Sequence, residues 1–184
     1  MHVLAISGSL RSDSNNTALL RALREEAPGG VEVELWDGLR DIPPYDQDED
    51  LVPGPPAVEA LRSLVREADA VFFATPEYNS SVPGALKNAL DWGSRPLATN
   101  VFRNKPVAVI SSSAGAFGGV WAAAELRKVL AAMGARVTEA EVAVGHAAEK
   151  FDEAGRLVDE AVRTELGEAL ETLLAEASPA LAAA

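Results

Sequence analysis

Cysteine is absent from the 184 residues, and histidine occurs only at positions 2 and 146. The first absence excludes disulfides, thiolate zinc sites and thiol redox chemistry, so any redox work falls to a borrowed cofactor. Long apolar runs are missing too: none approaches the roughly 20 residues that cross a bilayer. The opening MHVLAISGSLR has no extended apolar stretch behind basic residues, so no secretory leader is expected and a cytoplasmic location is. Basic residues are scarce, 16 against 28 acidic, for a net charge of −12. That balance opposes attraction to a phosphate backbone or an anionic bilayer, so neither nucleic acid nor membrane is an expected partner. The length suits one core. With no internal repeat and no linker, a single domain over 1–176 is expected, with 177–184 a frayed tail.

What is present is an alternation of short β-branched or aromatic runs with helical patterns, the mark of a parallel sheet with crossover helices. HVLAIS, VEVELW, AVFFAT, KPVAVISSS and ARVTEAEVAVG read as five strands, and AVFFAT, apolar on both faces, as a buried central one. NNTALLRALREEA reads as the first helix. Val58, Leu61, Val65 and Ala68 form the stripe of a second, and a third begins at Pro83 as its first residue. Leu126, Val129, Leu130 and Met133 fall at helical spacing, and Val158, Val162, Leu166, Leu170 and Leu173 form the last stripe. The stretch 37–56 reads as surface loop. Right-handed crossovers leave few topologies, and a three-layer doubly wound α/β sheet in strand order 2-1-3-4-5 fits best. That order places a ligand outside the carboxyl ends of strands 1, 3 and 4.

Three polar loops then share one edge: SGSLRSDSNNT, TPEYNSS and SSSAGAFGG. The first combines Ser9, Ser14, Asn16 and Thr17 with Arg11 just before a helix N-terminus, where unpaired amides and the helix dipole favour an anion. Arg11 suits bidentate contact with a terminal phosphate, and charge-assisted hydrogen bonds contribute about 1.5–3 kcal/mol each. Helix capping by Ser14 or Asn15 explains part of the same pattern. The single glycine of SGSLRS rules out a dinucleotide fingerprint. In the second loop Pro76 has no N–H, whereas Glu77, Tyr78 and Asn79 offer backbone donors to a flat heterocycle beside Tyr78. A packing role for Tyr78 stays open, and Glu77 reads as a solvated carboxylate before a general acid. In the third loop Gly115 and Gly118 permit close backbone approach, or simply a flexible turn.

Other chemistries find no support. No G-x-S-x-G elbow follows a strand. DQDED lacks the spacing and glycine of a calcium loop, so no metal is expected, and His146 reads as a surface residue.

Taken in order, GSLRSDSNNT, PEYNSSVPGALKNALDW and SSSAGAFGG resemble the NAD(P)H-dependent FMN reductase family, which includes quinone, azo-dye and chromate reductases. The resemblance covers essentially the whole chain, and GHAAEKFDEAGRLVDE is similar to the family's C-terminal segment. It implies a flavodoxin-like fold with noncovalent FMN. Ser9, Arg11, Ser14, Asn16 and Thr17 would surround the phosphate. Glu77, Tyr78, Asn79 and Ser80 would border the isoalloxazine, and Ser112 with the backbone near Gly115 would close its far edge. Ser80 stands where many members have an aromatic residue, and Trp121 where some have a basic one. The implied reaction is hydride transfer from NADPH or NADH to the flavin, then electron delivery to a small acceptor such as a quinone, free flavin, azo compound or metal oxyanion. No catalytic side chain is required, because the chemistry resides on the FMN. Similar proteins are homodimers or homotetramers, and Lys87, Asn88, Asp91 and Trp92 are candidates to face a second subunit; a surface ion pair of Lys87 with Asp91 is the alternative. Two other readings stay open: an FMN-binding electron carrier served by a protein partner, and a phosphate-ligand sensor without turnover.

Overall fold

The computed structural model describes residues 1–178; most of the expected frayed tail lies outside the described residues. Five parallel strands, β1 (His2–Ser7), β2 (Glu32–Trp36), β3 (Ala70–Thr75), β4 (Pro106–Ser112) and β5 (Arg136–Val144), form one sheet in the order β2-β1-β3-β4-β5. Five helices connect or cover them: α1 (Asn15–Glu25), α2 (Pro56–Glu67), α3 (Gly84–Gly93), α4 (Val120–Ala132) and α5 (Glu160–Ala177). The expected strand order is the observed one, and the fold is flavodoxin-like. No helix among the described residues is long and apolar enough to cross a membrane.

Alternation along the strands divides the core between the two faces of the sheet. Leu4, Ile6, Val71, Phe73, Val107 and Val109 point toward α2, α3 and α4. Val3, Ala5, Phe72, Ala74, Ala108 and Ile110 point toward α1 and α5, where the alanines leave room for closely seated helices. Every residue of β3 and β4 is buried, as central strands covered on both faces must be. The edge strand β5 carries a bulge between its pairings with Val107 and Val109. The Arg127 guanidinium fills the distortion by donating to the carbonyls of Thr138 and Ala140.

Four expectations need correction. Pro83 is the cap before α3, not its first residue, because its ψ of 137° is extended. Val158 lies ahead of α5 and is 52 % exposed. Residues 150–158 turn back on themselves through a Phe151–Leu157 bridge, and Asp159 caps the helix by accepting from the Val162 amide at 3.1 Å, so Leu157 enters the core instead. Stretch 37–56 is only partly surface: Leu39 and Ile42 are buried, and Tyr45 packs edge-on against Trp92 with ring centroids 4.9 Å apart. That packing decides the last point. Trp92 is fully buried and donates to the Pro43 carbonyl, as does Asn88, which also accepts from the Tyr45 amide. Both therefore face the chain's own loop, while Lys87 and Asp91 form an exposed pair at 2.6 Å.

Arg62 anchors the same loop from below. Its buried guanidinium donates to Glu59 at 2.7 Å, Asp50 at 3.1 Å and the Trp92 carbonyl at 2.9 Å. The hydrogen bond from Arg62 holds the Glu59 carboxyl below its ordinary 4.5. Replacing Arg62 with Met strands two carboxylates, so urea unfolding should show a loss of about 3 kcal/mol. Because the folded pKa of Glu59 is depressed, its contribution is present above 4.5 and lost as pH falls through the folded value; the stability difference between the parent and Glu59→Gln should close over that window.

Candidate functional site

Strand order reverses between β1 and β3, so the chain leaves β1 toward one face of the sheet and β3 toward the other, opening a crevice at their carboxyl ends. Gly8 seats the first loop there. Its amide donates to the Ala74 carbonyl at 2.8 Å, and a Cβ would meet the Leu86 side chain at 2.8 Å. Ser14 caps α1, its hydroxyl accepting from the Thr17 amide at 3.3 Å. That bond makes the capping role read from the sequence real, and the Thr17 hydroxyl separately donates to Ser7 Oγ at 2.8 Å. Asn16 is only 3 % exposed and donates to the Ser112 carbonyl at 3.0 Å, tying the start of α1 to the end of β4 across β3. Arg11 is exposed; its Nη2 donates to the Asp13 carbonyl at 2.8 Å, which leaves its other donors free to meet an anion.

The second loop makes a tight reversal in which Asn79 and Ser80 have φ of 54° and 59°, as hairpin turns of the I′ kind require. Tyr78 and Ser81 exchange both backbone hydrogen bonds at 3.1 Å. The Tyr78 amide, expected to be available to a ligand, is therefore spent inside the turn, whereas those of Glu77 and Asn79 have no partner among the described residues. The Tyr78 ring is 53 % exposed, so it is not a core aromatic.

Glu77 is not the solvated carboxylate its sequence suggests. Its Oε2 accepts from the amides of Trp121 and Ala122, both at 3.1 Å, at the start of α4. The residue at the cap position, Gly119, has no side chain to do this, and a negative charge at a helix N-terminus is favourable. Gly118 has φ +63° and sits where a Cβ would strike the Ala143 backbone at 2.5 Å. Its glycine thus serves packing on β5 rather than approach to a ligand, while Gly115 faces solvent.

Between the loops lies a cleft of about 370 Å³. Ser9, Arg11, Ser14 and Asn16 line it from the first loop, Pro76, Glu77 and Tyr78 from the second, and Ser112 from the third. Thr17, Asn79, Ser80, Gly115 and Gly118 lie outside this lining, whereas Asn15, Ser113 and Ala114 belong to it. Ser113 could have been found in the SSS run that ends β4; for Ala114 the sequence offers no signal. Two polar atoms of lining residues, Asn16 Oδ1 and Ser112 Oγ, are buried without a partner among the described residues, a cost of about 1–3 kcal/mol each when left unmet. The histidines stand apart: His2 pairs with Glu34 on the opposite edge of the sheet, and His146 is exposed after β5.

Sheet order and crevice together define a flavodoxin-like protein. Within that class, the family described as NADPH-dependent FMN reductase matches residues 1–149, and the chain belongs to it, an oxidoreductase family. It is similar to an NAD(P)H-dependent FMN reductase of Pseudomonas aeruginosa, 44% identical over 172 residues that cover 93% of this chain and 92% of the relative. An NADPH:quinone oxidoreductase of Arabidopsis thaliana is 41% identical over 183 residues, 95% and 91% of the two chains. The solved structure of FerB, a flavoenzyme NAD(P)H:(acceptor) oxidoreductase from Paracoccus denitrificans, superposes with a TM-score of 0.86 at 34% identity, covering 96% of each chain.

Glu77→Ala removes both bonds to the first turn of α4. The unliganded protein should lose about 1–2 kcal/mol in chemical denaturation, with faster hydrogen exchange at the Trp121 and Ala122 amides. Unchanged exchange at those two positions would contradict the capping role.

Proposed function

We propose that this chain is an FMN-dependent NAD(P)H oxidoreductase that binds the flavin noncovalently in the three-loop cleft and passes electrons to a small acceptor such as a quinone, free flavin, azo compound or metal oxyanion. The observation that carries this is the pair of orphaned polar atoms, Asn16 Oδ1 and Ser112 Oγ, in the lining of a cleft whose other groups are mostly donors. Such donors fit a ligand with an anionic end and a heteroaromatic body.

Bound FMN would supply the redox chemistry, accepting a hydride from the nicotinamide and returning the electrons to the acceptor. The chain's own residues bind and orient. Arg11, Ser9 and the free amides before α1 hold the phosphate, with Ser14 shaping the turn as the cap of the Thr17 amide and Thr17 through its hydroxyl's bond to Ser7. Glu77 and Asn79 present backbone amides to the polar edge of the ring. Pro76 offers no donor and Tyr78 gives an aromatic border, with Ser80 completing the turn that aims it. Ser112 and the backbone near Gly115 close the opposite side, and Gly118 seats that loop on β5. No titrating side chain is needed, in keeping with two histidines that lie outside the cleft. The expected setting is the cytoplasm, as a homodimer or homotetramer.

Anaerobic addition of NADPH or NADH to the FMN-loaded protein should bleach its yellow colour within the mixing time. A protein that stays yellow would be a carrier served by another protein, and one that refuses FMN would belong to neither class. Arg11→Ala should weaken FMN affinity, measured by fluorescence titration, by about tenfold or more; parental affinity would overturn the phosphate assignment.

A further inference from the structure

A second cavity, of about 340 Å³, opens on the far side of the β1–α1 turn, between the start of α1 and the end of the edge strand β2. It shares Ser9 and Arg11 with the cleft, so a single turn of chain separates the two. In a sequence whose acids outnumber its bases 28 to 16, this wall carries three guanidiniums, Arg11, Arg21 and Arg40, against one carboxylate, Asp37.

None of the three arginines pairs with a carboxylate among the described residues; the arginines that do are Arg62, Arg127, Arg136, Arg156 and Arg163. Arg40 is braced by donating to the Leu10 carbonyl at 2.7 Å, and Arg21 makes no side-chain hydrogen bond among the described residues. Both are exposed, with donors left over for an anion. Beside them stands Trp36, the last residue of β2, half-buried with its indole laid over Gly38, where a Cβ would meet Nε1 at 2.6 Å. The wall thus pairs a fixed aromatic surface with guanidiniums that no carboxylate pairs with among the described residues.

We propose that this cavity receives the adenosine end of NADPH, the base against Trp36 and the 2′-phosphate between Arg21 and Arg40. The proposal rests on the nicotinamide-dependent reading of the neighbouring cleft. Volume favours a mononucleotide, since the space lies at the small end of ligand sites. Continuity favours a dinucleotide whose nicotinamide end meets the flavin at the mouth of the cleft and whose adenosine end passes outside the Ser9–Arg11 turn into this cavity. Charge favours the phosphorylated ribose: Arg21 and Arg40 face a single carboxylate, Asp37, and a 2′-phosphate supplies the dianion that a free hydroxyl does not. Inorganic phosphate would answer the guanidiniums and leave the indole unused.

The test is calorimetric titration of the FMN-loaded protein with adenosine 2′-monophosphate, adenosine 5′-monophosphate and inorganic phosphate. The 2′-ester should bind about tenfold or more tighter than the other two. The double substitution Arg21→Gln with Arg40→Gln should lower its affinity by a similar factor. Neither residue lines the cleft, and Arg21→Gln alone, which removes no side-chain hydrogen bond among the described residues, should leave FMN affinity unchanged. In steady state the same variant should raise KM for NADPH, with kcat for NADPH and KM for NADH unmoved. Equal affinity for the two esters, retention of binding by the variant, or displacement of FMN by the 2′-ester would overturn the proposal. Failure of the flavin reading looks different: the protein would not hold FMN at all, and the same titrations on the unliganded chain would still decide whether this cavity binds the 2′-ester.

Discussion

A parallel sheet whose strand order reverses between β1 and β3 cannot close its carboxyl edge, and that constraint governs the rest of the molecule. Right-handed crossovers put α1 on one face and α3 on the other, so the loops that leave β1 and β3 diverge. The gap between them is held open by β3 and β4, whose residues are buried throughout and leave the sheet no freedom to relax. A crevice of this origin belongs to the backbone and precedes any choice of side chain.

Loops around such a gap need support, and each draws it from another. Asn16, at the start of α1, holds the end of β4. Glu77, after β3, supplies the cap that Gly119 cannot give α4. Gly8 lets its turn close on the Leu86 side chain, and Gly118 lets its loop close on the Ala143 backbone, where a methyl group would collide. The cleft is therefore pre-organised by side chains that are mostly satisfied, and its few unsatisfied atoms are conspicuous against that background. Spending polar groups on mutual support also limits what remains for a ligand: the Tyr78 amide and the Ser14 and Thr17 hydroxyls are committed, whereas Arg11 and the amides of Glu77 and Asn79 are not.

Charge is distributed with the same economy. The chain is strongly acidic, yet three arginines without carboxylate partners among the described residues gather at the β1–α1 turn, Arg11 facing both cavities and Arg21 and Arg40 the outer one. On an acidic surface such local excess of positive charge directs anionic ligands to one place. Two other arginines are bound up structurally: Arg62 secures the loop over α2, and Arg127 fills the bulge of the edge strand.

Periodicity and turn chemistry alone determined the five strands, their order, the helices between them and the edge at which the three polar loops meet, because hydrophobic alternation and crossover handedness are local rules with few global solutions. The motifs GSLRS, PEYN and SSSAG also pointed to most of the cleft's lining. Tertiary structure alone decided what each polar group does. Glu77 looks solvated in sequence, and only the arrival of α4, 44 residues later, makes it a cap. Trp92 and Asn88 look like interface residues until the loop at Pro43 and Tyr45 folds over them. Helical spacing assigned Val158 to the core, but the reversal at Phe151 and Leu157 moved the helix start beyond it. A hydrogen bond is satisfied by whichever partner the fold delivers, and partners far apart along the chain leave no mark in the local pattern.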